Sequence, residues 1–370
     1  MHEHRRTPKA ALIATGIVIG LGACSSEPAV RPSGSSQALE DLSCSVPESE
    51  IFVGAFRDGI PALTDPEMQL PGFEETSLWQ DDDRVVGMVL GDQPIAVPLN
   101  IFWWHEIVNL DMDGYSVAIT HCPLTGSSLA FDREPQGGVE FGVSGLLFRN
   151  NLMMYDRTGE NESLWPQMSR GARCGPKDGQ GLDMLPVVEM TYGKWRRIHP
   201  NTLVVTSETG WDRDYSSNGY PYRGYDDRSN PELLFPISGD IDTRFPPKAR
   251  VLGVPEGTGG TAFLYSELNR LGDRAVVTME SANEDYVVFW DEEAWGAMAY
   301  HPTVDGQPLT FEVRSEKIVD EETGSTWNMS GQATGGELAG SRLEPIDEAY
   351  VAFWFAWPLF QPDIQVWSAS

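Results

Sequence analysis

Val85-Val86-Gly87-Met88-Val89 is echoed far downstream by Val251-Leu252-Gly253-Val254, and the echo continues along the chain. Phe141-Gly142-Val143 matches Phe311-Glu312-Val313, and Ser163-Leu164-Trp165 matches Ser325-Thr326-Trp327. Gly175 to Leu182 matches Gly336 to Leu343, with Gly179 falling on Gly340. Both copies then enter an aromatic stretch expected to be helical, Tyr192 to His199 and Ala349 to Phe360. Each closes on a proline (Pro200, Pro362) and a strand-like tail, Thr202 to Thr206 and Ile364 to Trp367. The matches keep their order from one end of each copy to the other, which is the mark of a duplicated unit.

Within each copy short alternating segments dominate. Tyr115 to His121 alternates and follows Asp113-Gly114, a hairpin turn signal, and Val139 to Val143 and Tyr286 to Trp290 also read as strands. The expected fold is therefore mainly β (α+β): two β-rich repeats of related sequence, each with a short C-terminal helix. The first repeat spans 46–206 and bears the candidate site; the second, degenerate repeat spans 250–370. Residues 207–249, rich in Asp, Tyr, Arg, Gly and Pro, read as a long ordered connecting loop.

Composition narrows the function classes. The 370 residues carry 26 Lys plus Arg against 55 Asp plus Glu, a formal charge of -29, which repels polyphosphate and argues against a nucleic-acid partner. The apolar fraction of 41% is too high for a disordered acidic chain and sufficient for a core. Gly 37 and Pro 26 make turns frequent and long helices few. The 12 tryptophans need cores or binding surfaces, and Trp103, Trp104, Trp165 and Trp195 are candidates to line a ligand pocket.

The N-terminus reads as an address. Arg5, Arg6 and Lys9 precede an apolar run from Ala10 to Ala23 that is short for a membrane span and fits a secretory signal peptide, 1–23. Leu21-Gly22-Ala23-Cys24 resembles a bacterial lipobox, in which Cys24 is lipidated and the chain becomes anchored to a membrane outside the cytoplasm. An ordinary signal peptide cut nearby is the alternative. Residues 24–45 then serve as lipidated cysteine and flexible tether. Cleavage removes three cations and one anion and moves the net charge from -29 to -31. Cys44, Cys122 and Cys174 remain, and in an oxidising compartment either Cys122 or Cys44 could pair with Cys174.

What one copy has and the other lacks points to the candidate site. The first copy carries Trp104-His105-Glu106-Ile107-Val108-Asn109 and His121-Cys122-Pro123-Leu124-Thr125-Gly126-Ser127. Aligning Val117 with Val287 places Asp291 opposite His121 and Glu292 opposite Cys122, while the nearest counterpart of His105-Glu106 is Ser266-Glu267-Leu268. One working and one supporting copy would produce this asymmetry.

These runs, with Phe141-Gly142-Val143-Ser144-Gly145-Leu146-Leu147-Phe148, Asn151-Leu152-Met153-Met154-Tyr155-Asp156-Arg157 and Ser163-Leu164-Trp165, resemble domain-of-unknown-function family 3179. The resemblance covers roughly residues 50–370 and implies an extracytoplasmic microbial protein, often a lipoprotein, without implying an activity. Thr125 stands where some relatives carry a second cysteine, and His121 where a tyrosine is usual.

Alternation puts Cys122 on one strand face with Ala118 and Thr120, and His121 on the other. Three readings of the site compete. His105 and Cys122 suit copper or zinc, with Glu106 or Asp156 completing or orienting the ligand shell, giving a metal-binding or redox protein. The same pair suits a nucleophile and its base in a thiol-dependent hydrolase or transferase, with Glu106 assisting and Thr125, Gly126 and Ser127 as oxyanion donors. In the third, a non-catalytic binding or scaffold lipoprotein, the cysteine and histidine only brace a tight turn.

Overall fold

A computed structural model describes residues 43–216, 219–281 and 284–369. The signal segment, Cys24 and the tether up to residue 42 lie outside the described residues.

The chain is mainly β, and the two halves carry the same pattern of pairings. In the first, Arg84–Leu90 pairs antiparallel with Gln93–Pro98 on one side and with Val188–Thr191 on the other. Leu203–Val205 then lies parallel to Gln93–Pro98. In the second, Arg250–Glu256 pairs antiparallel with Gly259–Leu264 and Tyr350–Phe353, and Gln365–Trp367 lies parallel to Gly259–Leu264. A short helix, Tyr192–Ile198 or Ala356–Phe360, joins the outer strands of each set. Ala349 to Phe360 is thus not helical throughout: Tyr350–Phe353 is captured as a strand by the free edge of Arg250–Glu256, and the helix starts only at Ala356.

Gly87 and Gly253 recur because an indole lies flat against each. A Cβ on Gly87 would collide with the Trp195 ring, and one on Gly253 with the Trp357 ring. Both tryptophans come from the C-terminal helices and are fully buried, so glycine, helix and indole form one packing unit in each half.

Each half also contains a three-stranded antiparallel meander: Ile107–Met112, Tyr115–Cys122 and Ser127–Asp132 in the first, Arg274–Met279, Tyr286–Asp291 and Gly296–Tyr300 in the second. Asp113 and Gly114 take left-handed φ values of 51° and 88° in the first hairpin, as the Asp-Gly signal requires. The halves interlock through these meanders. Val351 of the second half pairs with Ser128, and the Phe353 N–H donates to Thr125 O at 2.8 Å. Reciprocally, the Thr191 N–H donates to Ala294 O at 2.9 Å.

A second helix in each half, Leu99–His105 and Tyr265–Leu268, follows the second strand directly. It adds to the single C-terminal helix expected per repeat. It also resets the comparison of copies: with Leu99 on Tyr265, His105 faces Leu271 and Glu106 faces Gly272, not Glu267. The connecting segment 207–249 contains no helix or strand among its described residues, yet it buries Tyr215 and Tyr225 against the first half. Cys44 and Cys174 form a disulfide that fastens the start of the described chain to the first half, leaving Cys122 as the free, buried thiol among the described residues. Cys174, which lacks a cysteine counterpart in the second half, is therefore a structural link.

Candidate functional site

His105 ends the helix Leu99–His105 and is fully buried. Its Nδ1 lies 2.7 Å from Pro61 O, and its Nε2 lies 2.7 Å from the Tyr215 hydroxyl. A carbonyl only accepts, so Nδ1 carries the proton and Nε2 accepts from Tyr215, whose oxygen lies 2.5 Å from Thr209 Oγ1. Burial drives the imidazole pKa down to about 4, against the Pro61 contact that raises it, so the ring is neutral at physiological pH. Both ring nitrogens are occupied.

Glu106 follows as the helix C-cap with a left-handed φ of 55°, in the place Gly272 takes in the second half. Its backbone ties the helix to the strand beside it: its N–H donates to Phe102 O and its carbonyl accepts from the His121 N–H, both at 2.8 Å. The residue is 7% exposed, its carboxyl has no cation paired to it among the described residues, and burial raises its pKa to about 8.

Cys122 faces the core shared with Ala118 and Leu129, on the opposite strand face from His121, as the alternation requires. Its sulfur accepts the Leu152 N–H at 3.3 Å and its thiol points to Asn150 O at 3.7 Å. Burial first, then the nearby Glu106 charge, push the thiol pKa up to about 11. The Thr125 and Ser127 hydroxyls are committed to a buried network: they lie 2.8 Å apart, Asn151 donates to Thr125 at 3.0 Å, and Ser127 donates to Gln167 at 2.6 Å. Asp156 is ion-paired to Lys177 at 2.9 Å. The structure thus brings Glu106 and Cys122 within electrostatic range of each other, while His105 and Cys122 share no partner. Among the described residues no group of three or more His, Cys, Asp or Glu side chains is arranged to hold a metal ion.

A second cluster lies on the other face of the same strand. His121 Nδ1 is 2.9 Å from Ser128 Oγ, and Ser128 donates to Glu189 Oε2 at 3.1 Å. Ser128 has spent its proton on the carboxylate, so it accepts from Nδ1–H, and the buried Nε2 is left bare and without a partner. Burial holds the His121 pKa down at about 4. The other Glu189 oxygen takes Arg84 Nη2 at 3.0 Å and Arg250 Nη2 at 2.7 Å. Burial alone would raise the Glu189 pKa; Arg250 and Arg84 outweigh it and keep it at about 2. Two guanidiniums against one carboxylate and a neutral imidazole leave one positive charge in surplus.

That surplus faces a cavity of about 600 Å³ between the halves. Its walls are built from equivalent positions, each 166 residues apart: Asp82 and Lys248, Arg84 and Arg250, Leu99 and Tyr265, Trp103 and Asn269. Tyr220, Trp295 and Phe353 add aromatic surface. Among the described residues, buried polar atoms of four lining residues have no protein partner: Arg250 Nη1, Trp103 Nε1, Asn269 Oδ1 and the Tyr265 hydroxyl. The walls mix aromatic rings with seven charged side chains, and the volume lies in the range of small-molecule sites.

Trp103 is the one member of this site that was a sequence candidate. Glu189 sits in a four-residue strand and Lys248 in an irregular segment, where neither carries a periodic signal. The signal that was present is the arginine directly preceding Val85-Val86-Gly87 and Val251-Leu252-Gly253 in both copies. No curated protein and no solved structure matches the chain. A family model does match, over residues 57–364, and the chain belongs to that family, described as Protein of unknown function (DUF3179).

Proposed function

We propose that the protein is a lipid-anchored, extracytoplasmic binding protein that seats the anionic group of a small molecule in the cavity between its two halves. The carrying observation is the convergence of Arg84 and Arg250 on the single carboxylate of Glu189, with the buried Arg250 Nη1 left unpartnered at the cavity wall. A buried donor without a partner costs about 1–3 kcal/mol, and more when charged, so an anionic ligand group there recovers energy the apo protein forgoes. Anchoring through Cys24 is supported by the lipobox-like run that ends on it, and export by the Cys44–Cys174 disulfide, a bond typical of oxidising compartments.

The binding reading stands ahead of a metal, redox or thiol-transfer role for His105, Glu106 and Cys122. Copper or zinc at His105 would have to displace Tyr215 from Nε2, and Cys122 would have to ionise from a pKa of about 11. Purified protein holding near-stoichiometric copper or zinc that Cys122→Ala abolishes would reverse this order.

Thermal unfolding of the purified chain against a panel of small carboxylates, sulfate and phosphate tests the proposal. At least one anion is expected to raise the melting temperature saturably in the parent and not in Arg250→Ala. Equal shifts in both proteins, or none in the parent, would reject the site.

A further inference from the structure

The cavity is polarised, and the polarity follows from where the two copies differ. At equivalent positions the first half places Asp82 and the second Lys248; beside them Asp83 is matched by Ala249. Neither aspartate has an ion-pair partner among the described residues; Asp83 takes the Gln80 N–H at 2.8 Å. Lys248 is 2% exposed and likewise makes no ion pair; its Nζ donates to Glu232 O at 2.6 Å and lies 3.9 Å from the centroid of the Tyr225 ring. Asp226 and Arg228, from the connecting segment, also line the cavity and offset each other in sign. In a chain of net charge -29, with acids outnumbering bases about two to one, a buried lysine held by a carbonyl and a ring face and not by an ion pair is uncommon. A simple anion would satisfy the Arg250 and Lys248 side and leave Asp82 and Asp83 unmatched. Tyr220, Trp295 and Phe353 also line the cavity, and aromatic rings attract cations through their π faces and cover apolar side chains equally well.

We infer that the ligand is a zwitterion, an amino acid or N-alkylated amino acid, whose carboxylate meets Arg250 and whose ammonium meets the Asp82–Asp83 side. This rests on the proposed binding role of the same cavity and names its ligand class. The unpartnered Trp103 N–H is a further donor for the carboxylate, and Asn269 Oδ1 an acceptor for a ligand N–H.

Calorimetric titration of the full-length protein with phenylalanine, 3-phenylpropionate and phenethylamine separates the possibilities, because the three share a ring and differ only in charge. Phenylalanine is expected to bind at least about tenfold more tightly than either of the others, a preference worth about 1.4 kcal/mol. Asp82→Asn, at an exposed position, is expected to bring the ratio of phenylalanine to 3-phenylpropionate close to one. Trp103→Phe should weaken phenylalanine binding without unfolding the chain, giving a second readout should the aspartate variant be unstable. Equal affinity for phenylalanine and 3-phenylpropionate in the parent would overturn the zwitterion and leave the anion site standing. Binding by none of the three would overturn both.

Discussion

Glu106→Gln offers a test whose sign and size both follow from the structure. The residue is 7% exposed, and its carboxyl has no paired cation among the described residues and has its pKa raised by burial from 4.5 to about 8. Because the folded value lies above the unfolded one, the folded chain holds this proton more tightly. The associated stability is complete below about pH 4.5 and is lost as pH rises toward 8. With those two values, keeping the group buried costs about 1 kcal/mol at pH 5, about 3 kcal/mol at pH 7 and about 4 kcal/mol at pH 8. Glutamine keeps the shape and removes the titration. The stability of the variant relative to the parent should therefore rise by about 3 kcal/mol between pH 5 and pH 8. Urea unfolding followed by tryptophan fluorescence at several pH values measures this directly. A difference between variant and parent that stays constant across pH would refute the assignment of a raised pKa to Glu106, and with it the picture of an uncompensated buried carboxyl.

Glu189 should behave in the opposite sense. Its folded pKa of about 2 lies below the unfolded 4.5, so its contribution is intact above about pH 4.5 and fades as pH falls toward 2; Glu189→Gln should cost about 3–5 kcal/mol at pH 7, read from the same urea curves. Cys44→Ser, which opens a loop closed across 130 residues, should lower stability by about 3–5 kcal/mol, and adding reductant to the variant should change nothing further. Cys122, buried with its pKa raised to about 11, should react with iodoacetamide in the folded protein at least about 100-fold more slowly than in urea at pH 7.5; rapid alkylation would favour the nucleophile. Gly253→Ala drives a methyl group into the Trp357 ring and should destabilise by about 1–3 kcal/mol, measured by thermal unfolding.

The sequence made the fold class legible where side-chain packing fixes residue identity in both halves. Gly87 and Gly253 cannot change without striking an indole, so the pentad around each stayed recognisable. Asp113-Gly114 and the alternation of Tyr115–Cys122 report backbone sterics that act locally, and they placed the hairpin and the opposite facing of His121 and Cys122. Ala349 to Phe360 misled because its aromatic residues suit strand and helix alike, and the edge of Arg250–Glu256 decided the outcome.

The site was less legible because its chemistry is assembled across sequence distances that no local pattern spans. His105 looked available in the sequence, but its ring is held by Pro61 and by Tyr215, 110 residues away in a segment without periodicity. The pairing of Cys44 with Cys174 crosses an even longer interval. Glu189 is a single charge in a four-residue strand, and only the meeting of Arg84 with Arg250 gives it meaning. Positions 166 residues apart, which hold matching places in the pairing pattern of the two halves, carry information that local motifs do not: where both halves have arginine, they share a centre, and where one has Asp82 and the other Lys248, the shared cavity acquires direction.

The most direct measurement of the central claim is a calorimetric titration of the purified chain with 3-phenylpropionate, run in parallel on Arg250→Ala and on a circular-dichroism check that the variant is folded. The account predicts saturable one-to-one binding by the parent and its loss in the folded variant. Undiminished binding by folded Arg250→Ala, or no heat from the parent with either 3-phenylpropionate or phenylalanine at millimolar ligand, would contradict it.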